Sequence, residues 1–415
     1  MKKSLILLTS TFPYSTGEAF LETELPYLSE NFYKVIIVPT KECSLTNHRS
    51  IPENCVINTS ILLKKNNESR LKRLISKIWL SIFFSFFYKE LVQLFPNRLT
   101  FKTIDELLTF SRDAILTKKA LTQIVRDSNL TKETGLIYTY WCYGTTLGAT
   151  LLSSKLPVVS RTHRADLYEE LYPKEYIPFR KFIFSRVSRI FSISKNGVQY
   201  LAKKYPLLKD KFELSRLGIN ISQTNAKLNG QNSNFTIVSC SSVYSVKRVD
   251  SIALLLKQFS KMYPEIQITW HHFGSGELFN DLKELIKEVP KNMNPILHGH
   301  IGNKDLIDWY TTNHVDLFIN LSESEGIPVS IMEANSFGIP ALATNVGGTS
   351  ELVSEKSGWL VSKSFSDDEI IQALEEATKK QSLRKQKSDE AASICSELFD
   401  SEKNYSEFVE KLNSL

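Results

Sequence analysis

Short apolar runs alternate with longer stretches of helical periodicity along most of the chain, the pattern of a parallel α/β architecture. In the first half, Leu5–Thr9, Lys34–Val38, Gly135–Tyr138, Pro157–Ser160 and Arg189–Ile193 predict buried strands. A second series begins near Phe235 and runs through Thr236–Ser239, Ile266–Phe273, Ile296–His300, Leu317–Asn320, Ala341–Thr344 and Gly358–Val361. Between the series, Asn225–Asn234 carries turn residues without apolar periodicity, which predicts a loop near a domain junction. From Ser366 onward the pattern is helical and charged. No internal repeat of the kind that builds solenoids is visible.

One periodic stretch stands apart. Leu71, Leu74, Ile75, Ile78, Trp79, Ile82, Phe83, Phe86 and Phe87 keep helical spacing and predict a single helix of about four turns. Arg70, Lys72, Arg73 and Lys77 stand at its start. Two readings fit: an apolar face packed into the core of the first domain, or a Trp/Phe-rich face resting on a membrane interface or a partner.

A chain of 415 residues exceeds one ordinary core and suits two domains. With 42% hydrophobic and 23% charged residues, disorder is excluded as a general description. Lys and Arg number 51 against 45 Asp and Glu, a net charge of +6. That excess is too small to indicate nucleic acid, yet it suits phosphorylated ligands or an anionic membrane surface. The five cysteines (Cys43, Cys55, Cys142, Cys240, Cys395) are scattered and suggest neither a disulfide framework nor a zinc site, so a reducing cytoplasm is expected. Met1-Lys2-Lys3 followed by Ser4–Leu8 has too short an apolar run for a signal peptide and reads as a first strand. No stretch reaches the roughly 18 apolar residues of a membrane span.

The richest segment for chemistry runs from Asp316 to Ala334. An apolar strand ends near Asn320, a polar loop containing Gly326 follows, and a helix is predicted from about Pro328 to Gly338, with Pro340 just beyond. This order places free backbone N–H groups and the positive end of a helix dipole at the sheet's carboxyl edge, which favours a phosphate. The acidic side chains Glu325 and Glu333, with seven residues between them, repel phosphate and need another purpose. Carboxylates beside a phosphate site can accept hydrogen bonds from neighbouring sugar hydroxyls. A pair flanking a diphosphate suits a nucleotide sugar; loop solvation is the plainer alternative.

The run Leu321-Ser322-Glu323-Ser324-Glu325-Gly326 through Glu333-Ala334, continued by Ser336-Phe337-Gly338-Ile339-Pro340 and by Ala343 to Val353, resembles the signature of the family-4 retaining glycosyltransferases of the GT-B fold. The resemblance implies two Rossmann-like domains facing a cleft: residues 1–214 binding the acceptor and residues 215–390 binding the donor, with a last helix, 393–415, returning to the first domain. It implies that Glu333 holds the nucleotide ribose, Glu325 the donor-sugar hydroxyls, and the backbone of Gly326, Ile327, Pro328 and Val329 the diphosphate. Ser241 and Ser242 stand where the family has Gly-Arg, and Lys247-Arg248 where it has Lys-Gly. Lys247 is thus retained as a diphosphate ligand, the usual arginine is replaced by Ser242, and Arg248 is a candidate substitute. Gly274 and His300 fall in loops that resemble those lining the nucleotide. In the first half, His163, Arg164 and Asp166 resemble the family's histidine loop. Thr16 and Gly17 lie where the family has a loop near phosphate and acceptor.

The resemblance further implies retaining transfer of a hexose or N-acetylhexosamine, UDP being the expected nucleotide, with no metal and no other cofactor. The paired histidines His271-His272 and His298/His300 lack a recognisable completing ligand. A saccharide acceptor, lipid-linked at the inner membrane face, is expected in surface polysaccharide synthesis, with no nucleic acid partner. Two alternatives stand beside this: an epimerase or sugar-phosphate synthase on the same fold, and a non-catalytic subunit that stabilises a partner enzyme.

Overall fold

The computed structural model describes every residue except Met1, Thr16, Phe83 and 222–233. The expected junction loop therefore lies, save for Asn234, outside the described residues. The chain divides into two compact units, one of Met1–Leu217 with Lys403–Leu415, the other of Gly218–Glu402.

In the first unit, β1 (Ser4–Thr9), β2 (Lys34–Pro39), β3 (Cys55–Ile57), β4 (Gly135–Thr139), β5 (Val158–Thr162), β6 (Arg189–Ser192) and β7 (Phe212–Leu214) form one sheet. Its order is β3-β2-β1-β4-β5-β6-β7, with every pairing parallel. Strand alternation explains why these apolar runs are unbroken. Leu5 and Leu7 face a cluster with Leu21, Leu25 and Leu28. Ile6 and Leu8 face the opposite side, with Leu107, Phe110 and Leu121 of the helix Phe101–Asp127. The edge strands β3 and β7, three residues each, are too short to leave a periodic signal.

The second unit holds β8 (Asn234–Cys240), β9 (Gln267–Phe273), β10 (Met293–Gly299), β11 (Leu317–Asn320), β12 (Ala341–Thr344) and β13 (Gly358–Val361), in the order β10-β9-β8-β11-β12-β13. All its pairings are parallel too. Counted from its own first strand, each sheet contains the order 3-2-1-4-5-6 of a doubly wound fold. The order reverses between β1 and β4 in one unit and between β8 and β11 in the other. Ligands of such sheets bind outside the carboxyl ends of the strands at these reversals.

Two predicted helices are broken in the structure. The stretch 71–87 divides into Arg70–Ile82 and Ser85–Gln93, with Phe84 extended at φ −93°, ψ 102°. Phe84 and Phe87 enter the first core, so the second helix continues the apolar spacing on a different support. Leu71, Leu74, Ile75, Ile78, Trp79 and Ile82 are exposed, which removes the core-facing reading for the first helix. The expected last helix 393–415 is instead Gln381–Leu398 and Ser401–Asn413. Between them the Phe399 carbonyl accepts from the Ile219 N–H (2.8 Å) and the Ser401 N–H donates to the Ile219 carbonyl (3.0 Å). These bonds take backbone groups that an unbroken helix would need. Phe408, Val409 and Leu412 of the final helix pack on the first sheet beside Leu5 and Leu7.

Candidate functional site

At the reversal of the second sheet, the loop after β11 is stitched to both sides. The Asn320 side-chain oxygen accepts from the Ser322 N–H (3.0 Å), and Thr344 Oγ1 donates to the Ser322 carbonyl (2.6 Å). The Glu323 N–H donates to the Val246 carbonyl (2.9 Å), which ties the loop to the segment after β8. Gly347 has φ +55°, and a Cβ there would lie 1.9 Å from the Glu325 carbonyl oxygen. Only glycine allows so close an approach. The Gly348 N–H then donates to the Gly326 carbonyl (2.8 Å).

This loop delivers the chain to the helix Val329–Ser336, capped by Pro328. Ile331 and Met332 make its first bonds, to the Pro328 carbonyl (3.1 and 3.2 Å). The N–H groups of Val329 and Ser330 precede them at the positive end of the dipole, where an anion is favoured.

The charges around this terminus have distinct fates. Glu325 is buried and Lys247 Nζ lies 2.6 Å from its Oε1, so the pair spans the reversal between β8 and β11. Arg248 is committed elsewhere. Its guanidinium binds Glu323 Oε1 (3.0 and 3.1 Å), donates to the Lys363 carbonyl (3.0 Å) and lies over the Phe365 ring. Ser242 is exposed and brings no charge.

Glu333 is buried, and Asn303 Nδ2 donates to its Oε1 at 2.5 Å. Burial pushes its carboxyl up to about 7, with the Asn303 hydrogen bond opposing. The Cys240 thiol at the end of β8 feels both Glu333 and Lys247, which places the two along one edge. Gly274, at φ +141°, backs onto the same region, since a Cβ there would sit 1.8 Å from the Ser241 carbonyl oxygen. His300 is exposed just beyond β10. His271 and His298 hydrogen-bond to each other (2.9 Å) among the rings of Phe273 and Trp309. Among the described residues no group of three His, Cys, Asp or Glu side chains could hold a metal ion.

The first unit is wired differently. Glu18 accepts from the Ser10, Thr11 and Phe12 N–H groups (2.7, 2.9 and 2.8 Å) and from Trp141 Nε1 (2.7 Å). It thereby fixes the loop after β1 to the end of β4. The Gly17 carbonyl accepts from Arg49 Nη2 (2.6 Å), and a Cβ there would lie 3.7 Å from Thr11 Oγ1, an ordinary contact. Thr16 lies outside the described residues.

Asp166 is fully buried and accepts from the Cys142 and His163 N–H groups, both at 2.7 Å. That makes it a scaffold for the histidine loop. Desolvation raises its carboxyl to about 6 against those same hydrogen bonds. Arg164 is half-buried between the two, its carbonyl accepting from Leu167 (3.3 Å). His163 is wedged against the rings of Tyr140 and Trp141, 4.5 and 4.4 Å away, and burial holds its imidazole neutral. Neither ring nitrogen has a hydrogen-bond partner among the described residues, so one donor and one acceptor remain to be satisfied. Beside it, at the ends of β1 and β4, a cavity of about 220 Å³ is lined by Ser10, Lys41, Glu106, Trp141, Tyr143 and Tyr172, among others.

Sequence reasoning did not reach Asn303, Asn320, Glu18 or Trp141. Asn303 opens the helix Asn303–Thr312 three residues after His300, and that helix start after Gly302 was the available signal. The others carry no local mark.

Residues 221–393 match the family described as glycosyl transferases group 1. A curated O-antigen biosynthesis glycosyltransferase, WbnH of Escherichia coli, is 36% identical over 101 residues, covering 24% of this chain and 27% of that protein. An uncharacterized glycosyltransferase of Haemophilus influenzae is 26% identical over 176 residues, 41% of this chain and 47% of that protein. The chain thus matches about a quarter of the length of the first of these curated relatives. Among solved structures, Anabaena Alr3699/HepE in complex with UDP superposes with a TM-score of 0.64 at 14% identity, covering 100% of both chains. The fold is therefore GT-B.

Proposed function

We propose that this chain, whose residues 221–393 match the glycosyl transferases group 1, moves a hexose or N-acetylhexosamine from a UDP-sugar to a saccharide acceptor with retention of anomeric configuration. The acceptor is lipid-linked, the work is done at the cytoplasmic side, and the product enters surface polysaccharide. The O-antigen role named for the Escherichia coli relative and the UDP bound by the Anabaena structure support this reading.

The observation that carries it is the pair of buried Glu325 and partly exposed Lys247 beside the helix N-terminus. Without ligand, each neutralises the other. An arriving diphosphate takes Lys247 and the Val329 and Ser330 N–H groups, which frees Glu325 for the donor-sugar hydroxyls. Glu333 accepts from the ribose hydroxyls, steadied by Asn303. As the sugar–phosphate bond breaks, Lys247 and the helix dipole stabilise the charge on the leaving diphosphate, and no metal is required. The acceptor hydroxyl attacks on the same face and passes its proton to the leaving phosphate, so no protein base is assigned. In the first unit, neutral His163 and the Trp141–Tyr143 cavity form the acceptor side.

One observation favours a second reading, a non-catalytic subunit: Ser242 brings no cation and Arg248 is committed to Glu323. Calorimetric titration with a panel of nucleotide sugars separates the two. Binding of one UDP-sugar, with slow release of UDP, is expected; failure of every nucleotide sugar to bind would overturn the transferase reading.

A further inference from the structure

The helix Arg70–Ile82 is built inside out. A surface helix of a globular protein turns its apolar stripe to the core and its polar side to water. Here the reverse holds. Its only buried residue is Ser81. The polar side faces the protein: Ser76 Oγ accepts from Arg112 Nε (2.9 Å), Lys77 pairs with Asp105 (2.7 Å) and Arg73 with Glu42 (2.6 Å). The outward side carries Leu71, Leu74, Ile75, Ile78, Trp79 and Ile82, each between 45% and 68% exposed. At 3.6 residues per turn these six share one face. The arrangement is held by ion pairs and hydrogen bonds to the helix Phe101–Asp127, so it is not an accident of a loose segment.

Charge identifies the occupant. The sequence from Arg70 to Ile82 contains four basic residues and no acidic one. Arg70 and Lys72, both exposed, fall on opposite flanks of the apolar stripe. On the inward side, Glu42 pairs with Arg73 and Asp105 with Lys77, which Glu106 also feels, so these carboxylates lie away from the outward face. Exposed Lys64, Lys89, Arg98 and Lys102 lie on adjoining segments. Those neighbours also expose large apolar groups, Tyr88, Val92, Phe95 and Phe101. The helix has 13 residues, about 20 Å, far short of a span. No described helix is long and apolar enough to cross a membrane. An apolar stripe with an indole, bordered on both flanks by cations, lies in the plane of a lipid interface, apolar side chains among the acyl chains and cations at the phosphates.

We propose that the outward face of Arg70–Ile82 docks this protein on an anionic lipid membrane surface. The inference uses no assumption about which sugar moves, and its test uses no donor. The full chain is sedimented with vesicles of phosphatidylcholine plus phosphatidylglycerol, and with phosphatidylcholine alone. Two double variants are compared, Ile75→Glu with Ile78→Glu, and Arg70→Glu with Lys72→Glu. All four positions are solvent-facing or only partly covered, so circular dichroism should be unchanged.

The wild type should partition to the anionic vesicles and lose binding as salt rises. Either double variant should weaken that partition by about tenfold or more. Wild type remaining in the supernatant, or an Ile75→Glu/Ile78→Glu protein that binds as well as wild type, would overturn the proposal. So would a wild-type dimer in light scattering that this variant dissociates without any lipid binding, since the face would then meet a second copy. In each of those cases nucleotide-sugar binding would stand untouched.

Discussion

The two sheets reverse their strand order in the same way, but the carboxylates at their reversals are used in opposite ways. In the first unit, Glu18 is saturated by three backbone amides and an indole, and Asp166 by two amides. These groups shape loops and have little capacity left for a ligand. In the second unit, Glu325 is held by Lys247, a partner that an anion can draw away, and Glu333 by one amide of Asn303. A shared topology therefore does not decide where ligands act. What decides is whether the polar groups at the edge are already satisfied by the backbone or by a partner that a ligand can replace.

Removing one carboxylate from each side should expose the contrast most strongly. Glu325→Ala leaves Lys247 partly solvated and takes from Asn320 Nδ2 a long contact of 3.5 Å while orphaning no backbone amide, so thermal unfolding should move little. Transfer should fall about 100-fold or more, the scale of losing a group that positions charge in the transition state. Asp166→Ala should do the reverse. It leaves the buried Cys142 and His163 N–H groups without their acceptor, a stability loss of about 2–4 kcal/mol. Transfer per folded molecule should drop far less. Denaturant titration and a UDP-release assay on both variants read the two axes, and a Glu325→Ala protein as unstable as Asp166→Ala would erase the distinction.

A smaller effect should follow pH through Glu333. Its carboxyl titrates in the folded protein at about 7, above the usual value of 4.5, because burial disfavours the charge. The stabilisation from keeping it neutral is full below the usual carboxylate range and is lost as pH rises through about 7. Ribose hydroxyls need the ionised form as acceptor, so nucleotide-sugar affinity should move the other way. Between about pH 6 and about pH 8 affinity should rise by about tenfold, and Glu333→Gln should flatten the profile. Calorimetry with a nucleotide sugar avoids the titrating terminal phosphate of a free diphosphate. Equal slopes for wild type and Glu333→Gln would remove Glu333 from the ribose.

The candidate loop after β11 was readable because its parts are contiguous: strand, polar turn, Gly326, Pro328 and the two glutamates lie within one short segment, where a single helix start organises them. The alternation of apolar runs likewise predicted most strands of both sheets. What escaped depends on partners far apart in sequence. Glu18 meets Trp141 from 123 residues away, and Asn303 meets Glu333 from 30. Periodicity also misled where two supports share one spacing, as at Phe84, where the apolar pattern continues while the backbone turns into the core. The outward direction of the Arg70–Ile82 stripe could not be read from spacing, because a helical period gives the width of a face but not what lies opposite it.

The smallest effect should come from Arg248, and it sharpens the comparison within the second unit itself. Lys247 and Arg248 are adjacent cations after β8, and sequence offered Arg248 as a stand-in for the charge missing at Ser242. The backbone separates them: Arg248 adopts φ 48°, ψ 40° at the start of the helix Val249–Met262, and its guanidinium turns to Glu323, the Lys363 carbonyl and Phe365. Glu323 is about half exposed, so the pair is solvent-screened and worth about 1 kcal/mol or less. Arg248→Ala should therefore change nucleotide-sugar affinity and turnover by less than about threefold, the equivalent of under 1 kcal/mol. Lys247→Ala should cost far more in the same assay. Should Arg248→Ala match the loss at Lys247→Ala, the guanidinium must leave Glu323 when donor binds, and the second unit would carry a two-cation clamp assembled by the ligand.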